Sequence, residues 1–169
     1  GFSVVVSYDA APAMYANFHD VTTNTSASVH VFVVDSVLPG SSVACVSNDC
    51  LSFAVGSASM TDYVYGAVFI YSRPNRTSET FTLAQTLEGN ATMTLGFQME
   101  CGRTMNDIYM LGYLDDEDVH VDSLVLHWRR ATRTGAYALI KLVSEEVVDL
   151  SYIQQIALSQ DERRFVMYS

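Results

Sequence analysis

An all-β fold, an antiparallel β-sandwich or jelly-roll-like barrel of about nine or ten strands, is the architecture this sequence predicts. Three observations carry it. Apolar and polar residues alternate with a period of two within short runs, turn-forming residues recur between the runs, and the runs return every ~8–12 residues. A parallel sheet would need long crossovers between its strands, and this spacing leaves no room for them.

Strands are expected at 2–8, 28–37, 42–46, 51–55, 63–71, 79–87, 91–99, 107–114, 119–128 and 135–143. In 119–128, Val119 and Val121 fall on one face while His120 and Asp122 fall on the other. In 79–87, Phe81 and Leu83 share a face. Pro39-Gly40, Ser47-Asn48-Asp49, Arg73-Pro74-Asn75 and Glu88-Gly89-Asn90 supply turn chemistry between the runs. Segment 9–25, with Pro12 and several small residues, reads as a long loop or a pair of turns. One short helix is expected near the C-terminus, from Tyr152 onward within 144–160. Ser144 is its candidate cap, Glu145 and Glu146 stand where the helix dipole favours negative charge, and Val147, Leu150, Ile153, Ile156 and Ala157 fall near helical spacing. The competing reading makes 147–153 a further strand. No internal repeat, low-complexity stretch or linker is visible, so residues 1–169 read as one β-rich domain. The chain starts on Gly1 without the features of a signal peptide, which reads as a piece excised from a longer polypeptide.

Composition narrows the function classes. At 49% hydrophobic residues the chain is too apolar for disorder. Nineteen acidic residues against nine basic ones give a formal net charge of −10, which is no footprint for phosphate binding, so nucleic acid is not an expected partner. No run of about 18 apolar residues is present to insert directly into a membrane as a helix.

Four groups of residues are candidates for chemistry or contact. Asp115, Asp116, Glu117 and Asp118 place four carboxylates in one turn, hard oxygen donors of the kind calcium takes, although the spacing departs from the twelve-residue helical calcium loop and lacks its glycine. The alternative is a solvated hairpin tip whose charges protect a sheet edge. Trp128, Arg129, Arg130 and Arg133 form a basic patch around the single tryptophan, a composition suited to a contact surface, or else to a strand that ends in a basic turn. Cys45 and Cys50 bracket a turn-rich tetrapeptide and could form a hairpin disulfide; the alternative is that they and Cys101 are small buried hydrophobes. Asn24, Asn75 and Asn90 head glycosylation sequons, three among six asparagines where chance gives about one, and would be used if the chain is secreted. Arg73-Pro-Asn-Arg76 and Arg130-Ala-Thr-Arg133 share the arginine spacing of a minimal basic-protease site, a pattern too short to carry a function. His19, His30, His120 and His127 read as ordinary strand residues. Without a Gly-x-Ser-x-Gly elbow, a His-Glu-x-x-His motif or a phosphate-binding glycine loop, no catalytic residue is assigned and the chain reads as a non-enzyme.

Acidic, β-rich, nearly free of lysine and rich in Ser, Thr, Tyr and Val, the chain resembles the protruding (spike) domains of small icosahedral RNA-virus capsid proteins of the nodavirus and tetravirus type. The resemblance covers the whole chain as an overall pattern and includes no diagnostic motif. It implies a domain displayed on the virion surface that self-associates as a homo-oligomer and attaches to a host cell-surface receptor or glycan, without a cofactor. The loops around Asn75, Asp115–Asp118 and Arg129–Arg133 would then be contact surface. A secreted or membrane-anchored glycoprotein ectodomain, extracellular and glycosylated, is the alternative. A carbohydrate-binding or hydrolytic β-sandwich domain, drawing on the ten tyrosines, is a second one.

Overall fold

Alternation of apolar and polar residues does produce strands, and the computed structural model is all-β. It describes residues 2–8, 14–20, 24–31, 42–57, 66–78, 80–90, 93–116, 119–143, 155–159, 161–162 and 165–168. Among these, thirteen strands form four antiparallel sheets, and there is no helix. The strands are β1 (Phe2–Tyr8), β2 (Met14–Asp20), β3 (Thr25–Val31), β4 (Ser42–Val46), β5 (Ser52–Ser57), β6 (Ala67–Ser72), β7 (Thr82–Glu88), β8 (Met93–Cys101), β9 (Asp107–Asp116), β10 (Val119–Arg129), β11 (Ala138–Val143), β12 (Gln155–Leu158) and β13 (Phe165–Tyr168).

Every sheet is a meander in which each strand pairs with its chain neighbour: β1-β2-β3, β4-β5-β6-β7, β8-β9-β10-β11 and β12-β13. Greek-key crossings of a jelly roll are therefore absent among the described residues, and no sheet closes into a barrel. Instead the two four-stranded sheets lie face to face, in a sandwich-like layering, over one core. Ala54, Val68, Ile70 and Leu87 come from β5–β7; Leu95, Met99, Ile108, Met110 and Leu126 come from β8–β10; Met105 and Tyr137 close the core at one end. Each large side chain so buried contributes about 1.5–3 kcal/mol.

Two local expectations are corrected. Residues 14–20, expected within a loop, form β2, which pairs along its whole length with both β1 and β3; tertiary pairing overrides the weak local pattern of small residues. Residues 155–158, expected in a helix, form β12. There Ile156 is bound on both sides of its peptide by Gln98 of β8, whose Oε1 accepts from Ile156 N at 2.7 Å and whose Nε2 donates to Ile156 O at 3.4 Å. Residues 144–154 lie outside the described ones.

The structure also holds an internal repeat that the residue pattern conceals. In β5–β6, Phe53 pairs with Tyr71; in β9–β10, Ile108 pairs with Trp128 at the same place. A register shift falls between Ile70 and Tyr71 where β6 meets β7, and the equivalent shift falls between His127 and Trp128 where β10 meets β11. The turn after the first strand recurs three times, each with a left-handed residue whose N–H bonds back three positions: Cys50 (φ 59°) to Ser47, Met105 (φ 53°) to Gly102, and Glu162 (φ 59°) to Ser159. By this correspondence β1–β3 match the second to fourth strands of the unit, and β12–β13 match the first two. Successive units also meet in the same way, with β4 against β8 and β8 against β12, while β1 touches β4 as β5 touches β8.

Candidate functional site: the turn end of the sheets

The recurrent turns gather at one end of the molecule, held by hydrogen bonds that are buried at Ser47 and exposed at Arg103 and Ser159. Ser47 is buried; its Oγ donates to Asp49 Oδ1 at 2.6 Å and accepts from Ser52 N at 2.9 Å. Asp49 Oδ1 in turn accepts from Leu51 N at 3.0 Å. Ser159 and Asp161 repeat the Ser–Asp pair at 2.6 Å. Adjacent turns are joined in series: Asn48 N donates to Arg103 O at 2.7 Å, and Arg103 N donates to Glu162 Oε1 at 2.6 Å. Gly102 occupies the tight point of the middle turn, where a Cβ would stand 2.8 Å from Glu162 Oε2.

Each four-stranded sheet contributes a buried arginine just after its third strand. Arg73, 3% exposed, donates from Nε to Cys50 O at 2.9 Å and from Nη1 to Ser78 O at 3.0 Å, with its guanidinium 5.0 Å from the centre of the Phe81 ring. Arg130, 4% exposed, donates to the carbonyls of Arg133 and Thr104 and to Asn106 Oδ1, with its guanidinium 4.9 Å from the Tyr137 ring centre. The backbone N–H groups of the two arginines make matching bonds, to Leu51 O and Asn106 O. A fixed five-donor fork is well suited to gathering several loop carbonyls at once. Burial lowers the Arg130 pKa, nearby Tyr137 opposes that shift, and Arg133 adds to it. Tyr137 donates its hydroxyl to Met105 O, and burial raises its pKa far above that of a free phenol.

These corners divide the basic patch expected from the sequence. Trp128 is half-buried against the inter-sheet core, and its indole N–H has no acceptor among the described residues. Arg129 is exposed on the opposite face, where Nε donates to Asp107 Oδ1 at 2.6 Å; this pairing raises its pKa. Arg130 is buried. Arg133 alone of the four reaches the cavity at this end, donating from Nη2 to Arg73 O at 2.7 Å with Nη1 4.0 Å from Asp49. Strand alternation sends Trp128 and Arg129 to opposite faces, so the four residues make no single contact surface. The cavity, about 340 Å³ and open to solvent, is lined by Ser72, Arg73, Pro74, Thr82, Arg133 and Thr134. It lies between the two corners and offers guanidinium and hydroxyl groups to an anion or a polyhydroxylated ligand.

Asp115 and Asp116 end β9 and Val119 opens β10 opposite Asp116; Glu117 and Asp118, and with them the calcium reading, lie outside the described residues. The three cysteines are free thiols, so Cys45 and Cys50 are not bridged. Cys50 instead accepts from Arg76 Nη2 at 3.2 Å and faces Asn48 O at 3.8 Å, while Cys45 packs against the core. Asn24, Asn75 and Asn90 are all exposed. Asn75 Oδ1 accepts from Thr77 N, Thr77 Oγ1 and Ser78 N, which shapes the first corner. His127 bonds Asp107 Oδ1 at 2.6 Å and stacks on Tyr109, with ring centres 4.4 Å apart. His19 bonds Ser26 Oγ at 2.7 Å across β2–β3.

Sequence reasoning passed over Arg73, Phe81 and Tyr137. The available signal was the doublet Arg-x-x-Arg-Thr at 73–77 and 130–134, followed in each case by an aromatic residue, Phe81 and Tyr137. No family model, curated protein or solved structure matches the chain.

Proposed function

We propose that the chain is a non-enzymatic attachment module: a radial array of antiparallel sheets, packed face to face like the blades of a propeller, that meets its partner through the loops at the turn end. One observation carries this reading. The first strands of successive units, β4, β8 and β12, are successive neighbours, as they are when sheets stand around an axis. Such scaffolds keep their framework constant and vary their loops, and binding residues concentrate on loops held by a rigid frame. The partner is a cell-surface receptor or glycan, bound at the cavity that Arg133 overlooks. Display on a virion surface, drawn from the overall pattern of the sequence, is one setting for this module. A secreted ectodomain is the other, favoured by the exposure of Asn24, Asn75 and Asn90.

Binding of the purified protein to cultured cells and to a panel of immobilised glycans tests the proposal, with Arg133→Ala as the comparison. Saturable binding that drops about tenfold in the variant is expected, the effect of losing one charged contact of ~1.4 kcal/mol. Equal binding by both proteins, or none by either, would sink it. Glycan cleavage in the same wells would return the hydrolytic alternative.

A further inference from the structure

Two of the three thiols meet between consecutive sheets. Cys45 on β4 and Cys101 at the end of β8 both pack against the inter-sheet core, on strands that lie against each other, with Cys101 near enough to raise the Cys45 pKa. Just beyond them, the bond from Asn48 N to Arg103 O fixes the two chain segments side by side. Cys50 is engaged elsewhere, with Arg76 and Asn48 O. We propose that Cys45 and Cys101 are a redox pair that exchanges with a small-molecule disulfide, such as oxidised glutathione, to form a bridge between the first strands of two adjacent sheets.

The exchange balances in two steps. The Cys101 thiolate attacks one sulfur of the small disulfide, forming a mixed disulfide and releasing one thiolate, which takes up the proton Cys101 lost. Cys45 then attacks the Cys101 sulfur, the Cys45–Cys101 bond forms, and the second small thiol leaves with the Cys45 proton. Two protein thiols are oxidised and one disulfide is reduced to two thiols. Burial, and then the contact with Cys101, raise the Cys45 pKa well above that of a free thiol. The Cys45 thiolate is therefore scarce at neutral pH, and closure speeds up as pH rises. The bridge would close a long loop and tie one unit to the next at the inner strand, where packing and hydrogen bonds now hold them.

The test incubates the folded protein with oxidised glutathione, blocks remaining thiols with N-ethylmaleimide and maps peptides without reduction. The expected product is a monomer lighter by two hydrogens before blocking. It carries one maleimide, on Cys50, and its Tm stands higher by about 5 °C or more until reductant is added. Cys50→Ser should form the same bridge; Cys45→Ser and Cys101→Ser should not. A bridge that includes Cys50, a disulfide-linked dimer, a glutathione adduct that persists on Cys101, or three maleimides after oxidation would each overturn the proposal. Should either variant of the pair fail to fold, the wild-type map and Cys50→Ser decide it.

Discussion

The sheets β4–β7 and β8–β11 share their strand order, the bulge between their third and fourth strands and their arginine corner, yet the second carries two further register shifts and their rear faces differ. The rear face of the first is mostly apolar, with Ala54, Val68 and Ile70 buried beneath the second sheet and Gln85, opposite Ile70, bonded to Tyr137 N and O. At the matching places the second carries Tyr109, Val125 and His127, and His127 and Tyr109 stack beside Asp107 and Arg129. The frame of the unit is thus set by the geometry of its turns, which a left-handed residue and its hydrogen bonds define whatever the residue type. What a face carries is set by its neighbour. Behind the first sheet stands a complete four-stranded sheet that excludes water, whereas the second faces β12, which is held through the paired amide bonds of Gln98.

Exchanging those faces would break the comparison most sharply. Ile70→His would bury an imidazole without a partner in the dry core and should cost about 3 kcal/mol or more, while His127→Ile should cost about 1.5 kcal/mol or less, both read from denaturant midpoints. Equal losses would mean that the two faces are equally dry. The arginine corners come next. Arg73→Ala and Arg130→Ala each leave loop carbonyls unpaired and should each cost about 2–3 kcal/mol; a difference above about 1 kcal/mol between them would end the equivalence of the corners.

Smaller effects concern single titrating groups. Tyr137→Phe should cost about 1 kcal/mol near neutral pH, the worth of its bond to Met105 O. The raised pKa of Tyr137 means that the folded state holds this proton more tightly than the unfolded chain does. Its contribution is thus complete below about pH 10, the pKa of a free phenol, and is lost as the pH climbs above that. Thermal melts from pH 8 to 11.5 should show a falling Tm in the wild type and a flatter profile in Tyr137→Phe. The smallest change belongs to Glu100, whose pKa is raised by partial burial. Its ionised form opposes folding, so stability falls as the pH rises through the raised value. Glu100→Gln should then be slightly more stable at pH 7, by about 0.5 kcal/mol or less, with the difference vanishing below about pH 4.

Much of the frame was legible. The strand expected at 42–46 coincides with β4, and those at 107–114 and 119–128 lie within β9 and β10, because alternation and turn residues act over a few neighbours. The repeat was not legible. Its units share geometry more than residue type: Cys50, Met105 and Glu162 hold the same left-handed position, and Tyr71 and Trp128 the same register. The arginine doublet was visible but open to a surface reading, since a charged residue after a strand normally points to water. Burial of Arg73 and Arg130 needs carbonyls brought from the turn of another hairpin, at Cys50 and Thr104, and that convergence exists only once the strands have paired.

From its order of residues alone, this protein is an antiparallel all-β chain with turns at defined places, since strand periodicity and turn chemistry are local properties. Tertiary structure decided which charges are interior, which cysteines meet, and that one unit recurs along the chain. Each of these depends on groups far apart in sequence, brought together when sheet packs on sheet and water is excluded between them.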